Sequence, residues 1–431
     1  MKGLALSETD NRIPLASPAV FISADWSKDP RKRSVHVADL GQRRIWRPED
    51  GRWDLGTVLE LARCLARRGP VLVGLDLVLG VPSGYWAQVR EHPPWHGVES
   101  PVGWLRMLDP SSDFFATVKE PAAWRVDRPF FHVPAGKGGL GSFQGRVQGG
   151  LLRRVDQLVG AKPMFAVSGI PGTVGSGTRD LWMELIPRLK DDRDFAVWPF
   201  EGELQTLLAT RRIVLAETYP GLAYAAALAG SLPTRRLIVS KTQRPARELA
   251  CDLLERAPWV QGAGVDLGDL APARADEDAF DSHLTAAAVL RCAIEGLPLC
   301  DPSWIDEQAE GAILLSGPVD PALPAKRLEV RASEKSAAGT SLQGRLELFR
   351  PPRKFRSRRP RTERGAGRER RSYPCPVPGC DKVFRGSRGG WDGHAGSLRL
   401  HPDWHPEVRD PAKRRRLFRE EHAKWFQDAT D

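Results

Sequence analysis

Hydrophobic and polar positions between residues 19 and 349 switch repeatedly between two periods, and the switching predicts an α/β domain. AVFISADWS (19–27) reads as a buried strand, SVHVADL (34–40) as a second and RRIWR (43–47) as a third. Short turns carrying Asp-Pro and Gly-Gln separate them, so the three are expected to form an antiparallel meander. LGTVLELARCLARRG (55–69) changes to helical spacing, with apolar residues at 55, 58, 59, 61, 62 and 65 and Gly69 as its stop. VLVGLDL (71–77) is a continuous apolar run, the pattern of a strand covered on both faces. Further on, MFAVSG (164–169) and RRIVLAETYP (211–220) read as strands. LWMELIPRLK (181–190), ARELACDLLERA (246–257) and DAFDSHLTAAAVLRCAIEG (278–296) read as helices. Three strands, a helix, then alternating strands and helices imply a mixed sheet flanked by helices. The Gly-, Pro- and Trp-rich stretch 82–162 reads as an insertion with no period from which to assign structure.

Composition divides the chain further. Residues 1–18 read as a flexible leader and 19–349 as the large domain. Residues 350–372 are mostly Arg, Pro, Gly and Ser, with too little apolar surface to fold, and are expected to be a disordered linker. Within 350–371 eleven Lys/Arg stand against two acids, so this segment carries +9 of the chain's net +10. Residues 373–408 read as a zinc finger, and 409–431 as a terminal helix whose Leu417, Phe418, Trp425 and Phe426 are expected to pack on it. The start of the chain has no apolar signal-peptide core, and stretches such as Tyr224 to Ala229 are too short to span a bilayer. A cytoplasmic protein without membrane association is expected. Cys64, Cys251, Cys292 and Cys300 are scattered and read as small packed residues rather than a disulfide framework.

Cys375 and Cys380 are different. With His394 and His401 they form Cys-x4-Cys-x13-His-x6-His, a set of soft and borderline ligands suited to one tetrahedral Zn²⁺. Tyr373, Phe384 and Trp391 stand where the small core of such a module would be, and metal binding would make that core stable. From Tyr373 to about His401 the sequence resembles the C2H2 zinc-finger family. It departs in its longer His spacing and Gly-rich helix, and His405 is a rival fourth ligand. The neighbouring +9 segment would supply phosphate contacts, so DNA or RNA is the expected partner.

Acidic residues carry the chemistry expected of the large domain. Asp25 and Asp76 interrupt apolar strands, Glu217 ends a third, and Asp278 and Asp281 share a face at the start of an Ala-rich helix. A carboxylate in a buried strand is costly unless paired or metal-bound, and hard divalent cations such as Mg²⁺ or Mn²⁺ take oxygen ligands.

ADWS (24–27), GLDLVLGVP (74–82), ETYP (217–220), SKT (240–242), DEDAFDSHLTAAA (276–288) and EGAIL (310–314) occur in that order. In these segments the chain resembles the ribonuclease-H-like superfamily, and within it family 429 of the domains of unknown function, described as nucleases by inference. The resemblance covers most of residues 19–315. It implies a mixed five-stranded sheet whose first three strands are antiparallel. It also implies a metal-dependent acidic site with Asp25 on the first strand, Asp76 on the fourth and acids on the last helix.

The first functional expectation is therefore a Mg²⁺- or Mn²⁺-dependent nuclease. Asp25, Asp76 and Asp278 or Asp281 would hold metal, Glu217 would ligate metal or position water, and Lys241 could contact a phosphate. A catalytically silent nucleic-acid adaptor and a small-molecule phosphotransferase on the same superfold are the alternatives. His283 could assist a nucleophilic water or simply be packed. GTVGSGT (172–178) has the glycines of a phosphate loop but no following Lys, and reads as a turn with Thr178 capping the next helix.

Overall fold

The computed structural model describes residues 18–329 apart from 28, 50, 135–138, 148 and 170–172. Toward the C-terminus it describes 372–375, 377, 380, 383–385, 404–408 and 411–421. The chain divides into two compact units, residues 1–343 and 344–431.

The first unit is built on a mixed six-stranded sheet. Strands β1 (Val20–Asp25), β2 (Ser34–Asp39) and β3 (Arg44–Trp46) form the antiparallel meander that the sequence predicts. The helix α1 (Leu55–Leu65) follows, opened by a capping box in which Asp54 and Thr57 satisfy each other's backbone N–H. It returns the chain to β4 (Val71–Leu75), which lies parallel to β1. Strands β5 (Phe195–Val197) and β6 (Ile213–Glu217) complete the sheet in the order β3-β2-β1-β4-β6-β5. The resemblance implies five strands; β5 is the sixth, a three-residue parallel edge strand too short to show a period. MFAVSG does not join this sheet. Ala166–Ser168 pairs instead with Phe131–His132 as a separate two-stranded ribbon.

Strand alternation divides the core in two. Ile22, Ala24, Val37, Val73, Leu75 and Leu215 turn to one face. There they meet α1 and a long helix, α2 (Gly175–Asp191). Phe21, Ala38, Leu72, Val214 and Ala216 turn to the other. That face is covered by α3 (Pro220–Leu228), α4 (Arg244–Glu255) and α5 (Glu277–Glu295). The unreadable stretch 82–162 extends the first core with its aromatic residues. Trp104 is fully buried, with edge contacts to Tyr85, Trp86, Trp95, Phe114 and Trp182. The expectation for Thr178 is corrected: α2 begins at Gly175 after Val174, and Thr178 lies buried inside its first turn without capping it. Gly175 is needed there because a Cβ would stand 2.5 Å from the Ala166 carbonyl oxygen.

In the second unit, Ser372–Pro374 and Val383–Arg385 form an antiparallel hairpin, with Tyr373 opposite Phe384. The terminal helix spans Pro411–Glu421. Its Phe418 is fully buried in one apolar cluster with Cys375 and Val377.

Candidate active site

Asp25, Asp76 and Asp281 converge. One carboxylate oxygen from each lies within 4.8 Å of the other two. Three features of the sequence produce this. Asp25 is the last residue of β1, and Asp76 follows β4, the parallel neighbour of β1, so both stand at the same end of the sheet. In the alternation of their strands, both fall on the α5 face, with Phe21 and Leu72. Gly74 keeps that face passable, since a Cβ there would meet Thr218 and Phe21 at 2.5 and 2.6 Å.

Helix α5 brings the third acid. Asp276 is its N-cap and accepts from the Asp278 and Ala279 amides, so Asp278 is a first-turn acid and not the cap. Ser282 then fixes the helix against the sheet. Its Oγ lies 2.9 Å from Ser34 Oγ and 2.7 Å from His36 Nδ1, and Ser34 is the register partner of Asp25. One residue before Ser282, the fully buried Asp281 reaches the cluster, while Asp278, half-buried, comes within hydrogen-bonding reach of Asp25.

The cluster's electrostatics are those of acids gathered out of water. Burial, then the neighbouring Asp281 and Asp76, raises the Asp25 carboxyl well above the usual range. Asp76 is raised chiefly by burial. Asp281 is pushed up to about 7, burial outweighing the opposite pull of Lys241 and Tyr224. Both of its oxygens are held: Tyr224 donates its hydroxyl to Oδ1, and Lys241 gives an ammonium ion pair to Oδ2. Burial works against the Lys241 charge, but Asp281, Asp25 and Asp76 more than offset it and raise its pKa. The Lys241 backbone is itself anchored by Arg247, whose guanidinium also binds the carbonyls of Arg274 and Ala275 just before α5. No described Lys, Arg or His forms an ion pair with Asp25 or Asp76.

Glu217 is not brought into this cluster. It pairs in register with Leu75 and so turns to the opposite face of the sheet. There the fully buried Arg153 holds both its oxygens, at 2.7 and 2.5 Å, and also pairs with Asp156. Glu217 further accepts the Leu79 amide, tying down the loop that follows Asp76. His283 is buried edge-on against His36, ring centroids 4.8 Å apart, with neither ring nitrogen hydrogen-bonded. Its pKa is lowered to about 4 by burial. Tyr224 is the site residue the sequence reading missed. A tyrosine inside the otherwise apolar PGLAYAAAL helix is the signal that could have found it, because its buried hydroxyl needs a partner.

In the second unit, Cys375 and Cys380 are within hydrogen-bonding reach of each other, and burial raises the Cys375 thiol to about 11. Both nitrogens of His405 are engaged by carboxylates, Nδ1 at 3.0 Å from Glu407 and Nε2 at 2.5 Å from Glu421. His394 and His401 lie outside the described residues. Among the described residues no helix is long and apolar enough to cross a membrane. Comparison with family models, curated proteins and solved structures gave no match to this chain.

Proposed function

We propose that the large unit is a Mg²⁺- or Mn²⁺-dependent phosphodiester hydrolase of ribonuclease-H-like type that acts on DNA or RNA. The observation that carries this reading is the convergence of Asp25, Asp76 and Asp281 within 4.8 Å, with the first two lacking any described ionic partner. The donor set is oxygen only, which suits a hard cation rather than the thiolate and imidazole sites favoured by Zn²⁺. Carboxylate oxygens that lie within 4.8 Å of one another are close enough to share one such ion.

A divalent ion there would supply Lewis acidity and a more acidic bound water. Asp25 and Asp76 would hold it through carboxylates that have no ion-pair partner among the described residues, with Asp281 as the deep wall of the site. Asp278, the acid at the exposed start of α5, would accept the proton of the attacking water. The water oxygen would form the new bond to phosphorus as the ester P–O bond breaks, and the leaving oxygen would take its proton from solvent water. The +9 segment at 350–371 would gather the polyanion through its phosphates. A Zn²⁺ finger on Cys375, Cys380, His394 and His401 would complete the tether.

The test is cleavage of single- and double-stranded DNA, RNA and hybrid duplexes with Mg²⁺ or Mn²⁺. Wild type is expected to cut at least one class, and Asp25→Asn to lose about 100-fold or more of that activity while still binding. Binding without cleavage of any class would overturn the nuclease reading and leave the adaptor. Nucleotide-dependent phosphoryl transfer would instead identify a phosphotransferase.

A further inference from the structure

The three acids of the cluster do not stand alike. Asp25 and Asp76 have no described ion-pair partner, whereas Asp281 has both oxygens committed, Oδ1 to Tyr224 and Oδ2 to Lys241. A two-ion centre places its metals about 3.5–4 Å apart and needs carboxylates that reach both ions. The geometry points to a centre that takes one divalent ion, with the Lys241 ammonium standing where a second cation would otherwise neutralise Asp281. This inference rests on the metal-dependent reading of the acidic cluster and fixes its stoichiometry.

Three arguments support it. The three carboxylates of the cluster against one ammonium leave a charge that a single divalent ion cancels, with Asp278 beside it kept as the ionised base. A second dication would sit next to the Lys241 ammonium, where like charges repel. The Lys241 backbone is also fixed, because its carbonyl is bound by Arg247, and Arg247 is buried and tied to the segment just before α5, so the ammonium starts from a set position beside Asp281. Finally, the Tyr224 hydroxyl caps the other oxygen of Asp281 from helix α3, leaving that carboxylate no uncommitted oxygen to bridge two ions. Lys241 thus acts as a charge-compensating residue, ion-paired to Asp281 and within electrostatic reach of Asp25 and Asp76. Near a bound phosphodiester its positive charge would also remain available to the substrate, as a second metal's would.

The experiment counts bound Mn²⁺ on the full-length, zinc-loaded protein, from the loss of the free-ion electron paramagnetic resonance signal during titration. Asp25→Asn supplies the background. Wild type is expected to bind one equivalent above that background, and Lys241→Met two. Two equivalents in wild type, or one still in Lys241→Met, would overturn the inference and leave the metal-dependent reading intact. No equivalent above background in wild type would overturn the metal-dependent reading itself, and this inference with it. Thermal melting checks that each variant folds. Lys241→Gln is the second variant if Lys241→Met does not, and a wild-type count of two overturns the inference whatever the variants do.

Discussion

Leu75 and Glu217 are register partners across the two central parallel strands, and that pairing turns the Glu217 carboxylate to the opposite face of the sheet from Asp76. Two acids at the ends of adjacent strands therefore have different work. Asp76 belongs to the acidic cluster with Asp25 and Asp281. Glu217 is consumed by Arg153 and by the Leu79 amide, holding the chain that leaves Asp76.

Glu217→Gln should accordingly act on stability and not on metal. Leaving Arg153 and Asp156 buried without the second carboxylate is expected to cost about 3–5 kcal/mol, read by denaturant unfolding. Mn²⁺ binding at the acidic cluster should persist in the folded variant. The triple variant Arg153→Met/Asp156→Asn/Glu217→Met should recover part of the loss, since it removes all three buried charges together. Loss of Mn²⁺ binding with unfolding unchanged would place Glu217 among the ligands after all.

The acidic cluster also predicts how pH and metal interact. Asp281 is raised to about 7 from its ordinary 3.8, so between these values the folded, metal-free protein holds more protons than the unfolded chain. Its contribution is then present at low pH and lost as pH rises through about 7. A divalent ion needs the carboxylates ionised, so its stabilisation should grow over the same window. The Mn²⁺-induced rise in melting temperature is expected to be small near pH 5 and full above about pH 7, worth about 2.7 kcal/mol at a hundred times the Kd. A rise that is equally large at both ends would contradict ion binding to these acids.

The buried histidines should give the opposite slope. His283 is lowered to about 4 by burial, and His36 lies well below its ordinary 6.5 through burial and the neighbouring His283. Both are neutral when folded, so the unfolded chain binds more protons below about pH 6.5. The stability they contribute is complete above that pH and falls away as pH drops toward 4, by about 3 kcal/mol for His283. His283→Leu should flatten the acid limb of a stability–pH curve. An unchanged limb would mean that this ring is already charged or hydrated in the folded protein.

For the second unit, His401 rather than His405 is the expected fourth zinc ligand, because Glu407 and Glu421 occupy both nitrogens of His405. His405→Ala should keep one zinc per chain by native mass spectrometry, while Cys375→Ser should lose it and His401→Ala should weaken it. Zinc lost in His405→Ala and retained in His401→Ala would reverse the assignment.

Much of this site is legible in the sequence. Asp25 and Asp76 announce themselves as carboxylates in otherwise apolar strands, and Asp278 and Asp281 as acids sharing a face of an Ala-rich helix, though the pattern leaves open which of the two joins the cluster. The meander and β4 followed from two-residue and continuous apolar runs. Glu217 was not legible in the same way, because the face of a strand-end residue depends on its register with a neighbour about 140 positions away. The aromatic core of residues 82–162 was hidden for a related reason: its Trp and Phe side chains come from short helices and loops with no shared period. Edge strand β5 was hidden by its three-residue length. Tyr224 and Arg247 make contacts set wholly by tertiary packing.

The central claim is that a divalent ion sits among Asp25, Asp76 and Asp281. Replacing that ion with Fe²⁺ and adding peroxide and ascorbate cuts a polypeptide beside the bound iron, and mass spectrometry locates the cuts. The account predicts cuts next to residues 25, 76 and 281, suppressed by excess Mg²⁺ and missing in Asp25→Asn. Cuts that avoid all three positions, in a protein that still cleaves nucleic acid with metal, would contradict it.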